Sequence, residues 1–166
     1  MSYRRPSRAP GFSYCGLHRY FLTLCTDGRR RIFRSALVVE GVRLHLQHAA
    51  ATEGFAIIAY CFMPDHLHLL VEGLKESSDL RRFVSSFKQR SGSAYRRGTG
   101  QCLWQPGYYD HVLRDEQSMQ ATAGYTLQNP VRAGLVARME QYPHMGSDRW
   151  EFSHLMQARA PRQTGG

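Results

Sequence analysis

Two apolar runs joined by a three-residue turn, FAIIAYCF, MPD and HLHLLVEG over residues 55–73, constrain the fold of this chain more than any other feature. The first run is nearly without polar residues and reads as a buried strand. Proline presets a turn dihedral and aspartate bonds its own backbone, so Met63-Pro64-Asp65 turns the chain straight into the second run. Side chains alternate along a strand. Leu67, Leu69 and Val71 therefore form a core-facing row, and His66, His68, Leu70 and Glu72 share the opposite face. The two imidazoles lie about 7 Å apart along the backbone, at a rise of roughly 3.3 Å per residue. At that spacing both can close on one divalent cation, although internally satisfied or surface histidines fit the same pattern.

The elements around this hairpin complete a sheet. Residues 17–26, LHRYFLTLCT, have the aromatic and β-branched character of a strand, and DGRRRIF follows as a basic turn. Residues 35–51 repeat Val38, Val42, Leu46 and Ala49 at helical spacing, with Gly54 just beyond the end. Ser78 or Asp79 can cap a second helix whose apolar stripe is Leu80, Phe83, Val84 and Phe87. A strand over 108–114 precedes a third helix, capped by Asp115 and running through Tyr125 to about Gln128. Two strand–helix–strand units of this kind predict an α+β, ferredoxin-like antiparallel sheet with two helices on one face. The histidines then point to the other face, which the third helix has to cover. Residues 1–12 and 157–166 are rich in Arg, Pro, Ser and Gly and read as loose tails, so one domain is expected at 13–150 with a C-terminal tail at 151–166.

Charge sets the class of partner. The net charge is +9 and the pI near 9.8, and all the basic residues except Lys75 and Lys88 are arginine. Arginine's planar fork suits phosphate oxygens and stacks on bases, which points to a nucleic-acid partner, while a solvated basic surface or the arginine bias of a GC-rich genome fits the composition equally well. The faces of the second helix beside its apolar stripe carry Arg81, Arg82, Lys88 and Arg90, with Arg96 and Arg97 following. These are the candidate phosphate contacts. Trp104, Tyr108 and Tyr109 are candidates either for stacking on unpaired bases or for the core. The four cysteines contain no C-x-x-C pair, which argues against a zinc ribbon or a redox motif. No signal sequence is evident at the N-terminus and no run of about 18 apolar residues occurs, so a reduced, cytoplasmic protein with no membrane partner is expected.

Three segments, YCFMPDHLHLLVEG, WQPGYYDHVLRD and YTLQNPVRAGLV, occur here in an order that resembles the single-tyrosine HUH transposases. They look most like the REP-associated tyrosine transposase branch, over roughly residues 13–145. That resemblance implies a ferredoxin-like fold in which His66 and His68 hold a divalent metal, Mg²⁺ or Mn²⁺, with zinc a further option. It implies Tyr125 as the nucleophile that attacks DNA and Asn129, one helical turn later, as a further metal ligand. On a continuous helix Tyr125 and Asn129 share a face. Asn129 also suits the N-cap of a following helix, with Pro130 in its first position. Thr126 departs from the aliphatic residue common at that place in the branch.

The resemblance further implies a single-stranded or hairpin DNA substrate and a protein acting as a monomer or as a homodimer that exchanges the tyrosine helix. A phenol with an ordinary pKa near 10 needs a cation beside it to attack at neutral pH, and a phosphotyrosine conserves the phosphodiester's energy for rejoining. A non-catalytic DNA-binding regulator and a phosphodiesterase that uses water are the rival expectations. Glu72 reads as a peripheral solvated carboxylate, and His111 as a structural or DNA-contacting residue.

Overall fold

A computed structural model describes residues 10–149 and residue 151. Five strands form one antiparallel sheet: β1 (Arg19–Cys25), β2 (Phe55–Met63), β3 (His66–Gly73), β4 (Tyr109–Leu113) and β5 (Met145–Gly146). Their spatial order is β4-β1-β3-β2-β5, so the histidine strand lies at the centre. The first four strands, with α1 (Ala36–Glu53) and α2 (Leu80–Thr99), make the expected ferredoxin-like α+β arrangement. β5 adds a short edge beside β2, pairing Tyr60 with Gly146 and Cys61 with Met145. The strand expected over 108–114 is shorter by one residue at each end.

Local chemistry explains each boundary. Ser35 caps α1 by accepting from the Val38 amide, and Gly54 closes it at φ 74°, a left-handed conformation that costs glycine little. Asp79 caps α2, accepting from the amides of Arg81 and Arg82. Ser78 instead is buried and donates to the Gly54 carbonyl. Gly73 has a packing reason: a Cβ there would meet the Gly16 carbonyl oxygen at 2.1 Å.

α1 and α2 bury Val39, Val42, Leu46, Leu80, Phe83 and Phe87 against one sheet face, where Leu22, Leu24, Leu67, Leu69 and Val71 point. The third helix, α3 (Glu116–Arg132), lies across β2 and β3 on the other face. Its Met119, Ala123 and Leu127 stripe packs with Ile58, Ala59, Leu70 and Leu113. Fully burying a Met or Leu side chain contributes about 1.5–3 kcal/mol, enough for this short stripe to seat the helix. Thr126 is fully buried there too, and its hydroxyl donates to the Thr122 carbonyl at 2.8 Å, so the departure from an aliphatic residue leaves no polar group unsatisfied.

Asn129 does not cap a following helix. α3 continues to Arg132 with Pro130 inside its last turn, and the backbone amides of Ala133, Gly134 and Leu135 then close it by donating hydrogen bonds to the Asn129, Val131 and Pro130 carbonyls. Of the two expected tails, residues 1–9, 150 and 152–166 lie outside the described residues. Phe12, placed in the N-terminal tail by composition, packs edge-on against Tyr14 with ring centroids 5.0 Å apart. No described helix is long and apolar enough to cross a membrane.

Candidate active site

The α3-covered face of the sheet carries the histidine pair. Strand register places Cys25 opposite His66 and Thr23 opposite His68, all four on that face. The imidazoles meet edge to face, and their Nε2 atoms stand 3.1 Å apart. The outer nitrogens are both engaged. Asp65 Oδ1 lies 2.6 Å from His66 Nδ1, and the Thr23 hydroxyl 3.1 Å from His68 Nδ1. An ionised carboxylate only accepts, so it assigns the His66 proton to Nδ1 and leaves Nε2 a lone pair. A hydroxyl both donates and accepts, so Thr23 lets His68 hold its proton on either nitrogen. Phe21 stacks on the His68 ring, with centroids 5.4 Å apart, and holds its plane.

Burial keeps both rings neutral. It pushes His68 down to about 3, aided by the neighbouring His66 and by the charges of Arg132 and Arg29. It lowers His66 too, against an opposing pull from Asp65. Asp65 is itself held below the usual carboxylate range by His66 and Arg29, despite its partial burial. Two neutral imidazoles with converging Nε2 atoms are suited to ligating a cation. An edge of 3.1 Å corresponds to adjacent positions of an octahedron with metal–nitrogen bonds of about 2.2 Å, near the range for Mg²⁺, Mn²⁺ and zinc. Among the described residues no third His, Cys, Asp or Glu joins the pair to complete a cage. The residues therefore fit a divalent ion with open positions for phosphate oxygens and water, rather than a closed structural site.

Sequence reasoning missed the support of this pair. The Arg29 Nε donates to Asp65 Oδ2 at 3.0 Å, and its Nη1 reaches the Cys25 sulfur at 3.0 Å. The Arg29 backbone holds φ at 55°, uncommon for a residue with a side chain. Asp65 also accepts at its backbone oxygen from the Thr26 amide and hydroxyl. Asp65 was legible as a turn residue, and its adjacency to His66 was the available signal. Nothing local marks Thr23, Phe21 or Arg29, which arrive through strand pairing and a distant turn.

Tyr125 and Asn129 lie on α3 one turn apart, as expected, and Arg132 extends the same stripe. Tyr125 is 53% exposed, so its phenol is open to a substrate. The Arg132 guanidinium lies over its ring, 3.6 Å from the centroid. Arg132 Nη2 also donates to Asn129 Oδ1 at 2.8 Å and to the Tyr125 carbonyl at 3.2 Å. Among the described residues no hydrogen bond joins the Tyr125 hydroxyl to either histidine. The positive charge of Arg132 adds a small part to the lowering of His68.

The expected DNA contacts divide. Arg81, Arg82, Arg90, Arg96 and Arg97 are exposed along α2. Arg81 lies over Tyr14 at 5.3 Å, and Arg82 faces Glu53 at 3.4 Å. Lys88 is not a free cation: its Nζ donates to the Gln105 and Gly107 carbonyls at 2.9 and 2.6 Å, tying down the loop before β4. Trp104 is a core residue rather than a stacking platform. It is 6% exposed, packs on Phe33 and Phe87, and donates its indole N–H to Ser91 Oγ at 2.9 Å. Tyr108 packs against the core, whereas Tyr109 is 41% exposed on the histidine face, paired across to Thr23. His111 is exposed on that face as well. Glu72 is not a solvated carboxylate. Its side chain is 14% exposed and pairs with Arg19 at 2.9 Å and with Arg149.

The family described as IS200-like transposase matches residues 15–128, more than half of the chain and all of the histidine hairpin. The chain belongs to the IS200-like transposase family. Among its relatives, a Haemophilus influenzae protein bearing the REP-associated tyrosine transposase name is 24% identical over 140 residues, covering 75% of this chain and 77% of its own length. An Escherichia coli REP-associated tyrosine transposase is 27% identical over 93 residues, 54% of this chain and 52% of that one. The solved structure of a REP-associated tyrosine transposase bound to a REP hairpin superposes with a TM-score of 0.70 at 19% identity, covering 84% of this chain and 82% of that one. That likeness shows the fold of this transposase, including the sheet and its covering helices. The expected resemblance to the REP-associated branch is thereby met.

Proposed function

We propose that this transposase cleaves and rejoins single-stranded DNA through a covalent bond to Tyr125, with a divalent metal held by His66 and His68. The carrying observation is the converging Nε2 pair, 3.1 Å apart, with both outer nitrogens engaged. When bound, Mg²⁺ or Mn²⁺ would neutralise phosphate charge and orient the scissile bond. Asp65 and Thr23 hold the imidazole rings in the ligating orientation. Asn129 supplies a further oxygen from the same helix face as Tyr125. The exposed Tyr125 phenol loses its proton to solvent, and its oxygen attacks phosphorus. One P–O bond of the backbone breaks as the phosphotyrosine bond forms, and the departing oxygen leaves as a free hydroxyl. The hydroxyl of another strand end reverses the step, so rejoining needs no external energy source.

The substrate in this reading is a hairpin-flanked single strand; the superposed relative is bound to a REP hairpin. The α2 arginines lie on the sheet face opposite the histidines. Trp104, which bridges Thr26 and so lies at the histidine end of the sheet, packs on Phe87 and Ser91, so the half of α2 from Phe87 onward, with Arg90, Arg96 and Arg97, lies towards that end. DNA that spans both would pass around that end, with duplex phosphates on α2 and the unpaired segment over Tyr109 and the histidines.

The test is a labelled single strand carrying a hairpin, incubated with Mn²⁺ and resolved under denaturing conditions. The protein is expected to form an adduct whose phosphate maps to Tyr125, and Tyr125→Phe to bind DNA and metal without forming adduct or product. Continued cutting by Tyr125→Phe would establish water as the nucleophile, and the absence of any adduct in the unaltered protein would favour a DNA-binding regulator.

A further inference from the structure

Tyr125, Asn129 and Arg132 occupy positions i, i+4 and i+7 of α3, and every contact described for the Arg132 guanidinium is within this stripe. Its plane covers the Tyr125 ring, and one nitrogen holds the Asn129 side-chain oxygen at 2.8 Å. The other end of that amide is the telling feature. Asn129 Nδ2 is buried and has no hydrogen-bond partner among the described residues. Reversing the amide would turn its donor towards the guanidinium, itself a donor, so Arg132 enforces the orientation. The Asn129 oxygen is thus committed to arginine while its nitrogen is left unsatisfied, a costly state for a buried group. Arg132 is otherwise exposed, and a guanidinium pairs more strongly with a phosphate, through two parallel bonds, than with one neutral amide.

We propose that Arg132 is the positioning residue of this site: without DNA it withholds the Asn129 oxygen and covers the Tyr125 ring, and a DNA phosphate draws it away and releases both. This rests on the metal reading of His66, His68 and Asn129 given above. It couples the freeing of the oxygen ligand to the arrival of substrate. In the DNA-free protein the metal would accordingly rest on the histidine pair alone.

Mn²⁺ affinity, read from the electron paramagnetic resonance of the free ion, tests this without any turnover. Arg132→Met keeps the stem and removes the fork. In the absence of DNA it is expected to bind Mn²⁺ about tenfold more tightly, the effect of freeing one charge-assisted hydrogen bond. Removing a positive charge near the metal would also tighten binding, so the double variant decides. Asn129→Ala should change the affinity of the unaltered protein less than about twofold, yet abolish most of the gain in Arg132→Met. A short single-stranded oligonucleotide should tighten Mn²⁺ binding to the unaltered protein more than to Arg132→Met. An undiminished gain in the double variant, no gain in Arg132→Met, or an equal loss from Asn129→Ala in both backgrounds would each overturn the proposal. His66→Ala and His68→Ala report separately on the site: if Mn²⁺ binding survives them in both backgrounds, the metal reading fails, whatever Arg132 does. Thermal unfolding by circular dichroism verifies that each variant retains the fold.

Discussion

Asp65→Ala isolates the support of the metal site from the fold that carries it. The Asp65 carboxylate does two things: it accepts from His66 Nδ1 at 2.6 Å and from Arg29 Nε at 3.0 Å. The turn does not depend on those oxygens, because the Thr26 amide donates to the Asp65 backbone carbonyl at 3.0 Å, and the Thr26 hydroxyl is shared between that carbonyl and the Arg30 carbonyl. The Arg29 side chain is 53% exposed and that of Asp65 26%, so their ion pair contributes about 0–1 kcal/mol. Loss of a carboxylate behind a metal-ligating histidine typically costs 10–100-fold in metal affinity, or about 1.4–2.7 kcal/mol. Asp65→Ala is therefore expected to weaken Mn²⁺ binding by about 10–100-fold while lowering metal-free stability by about 1.5–4 kcal/mol, from the part-buried His66 hydrogen bond and the exposed Arg29 pair together. Asp65→Asn should fall between the two proteins, since one amide cannot accept from both His66 and Arg29 as a carboxylate does. Calorimetric Mn²⁺ titration and urea unfolding without metal measure the two quantities. Unchanged metal affinity would refute the role of Asp65 in orienting His66, and a collapse in metal-free stability would show that the carboxylate mainly holds the fold.

Two further outcomes concern residues expected to touch DNA. Trp104→Ala should destabilise the protein by about 3–5 kcal/mol in urea unfolding, because it empties the space between Phe33 and Phe87 and removes the indole donor to Ser91 Oγ; a stable variant with weakened DNA binding would restore the stacking role. Neutralising Arg96 and Arg97 should reduce the slope of log affinity against log salt for a hairpin substrate by about 0.7–0.9 per lost phosphate contact. Neutralising Arg81 and Arg82, about 22 Å away along the helix at 1.5 Å per residue, should alter it less. Equal slopes for the two pairs would refute a DNA path around the histidine end of the sheet.

The fold was legible because its rules are local. Period-2 and period-3.6 patterns, Asp79 and Asp115 as caps and Gly54 as a stop lie within a few residues of the elements they define, and the ferredoxin-like order follows from their succession. The shared face of His66 and His68 was likewise available from strand alternation, and the motifs around them identified the family. Residue type alone misled at Lys88 and Trp104. A lysine on a basic helix and a tryptophan near two tyrosines look the same in sequence whether they meet solvent or a loop folded back on them. Glu72 misled for the same reason, its arginine partners lying far along the chain. What tertiary structure alone decided is the environment of the site: Thr23 and Phe21 brought to His68 by strand register, Arg29 brought to Asp65 by a separate turn, and the α2 arginines set on the opposite face from the histidines. Alternation along a strand determines which side chains share a face, whereas pairing between strands more than forty residues apart determines what each imidazole touches, and hence its proton, its orientation and its capacity to hold a metal.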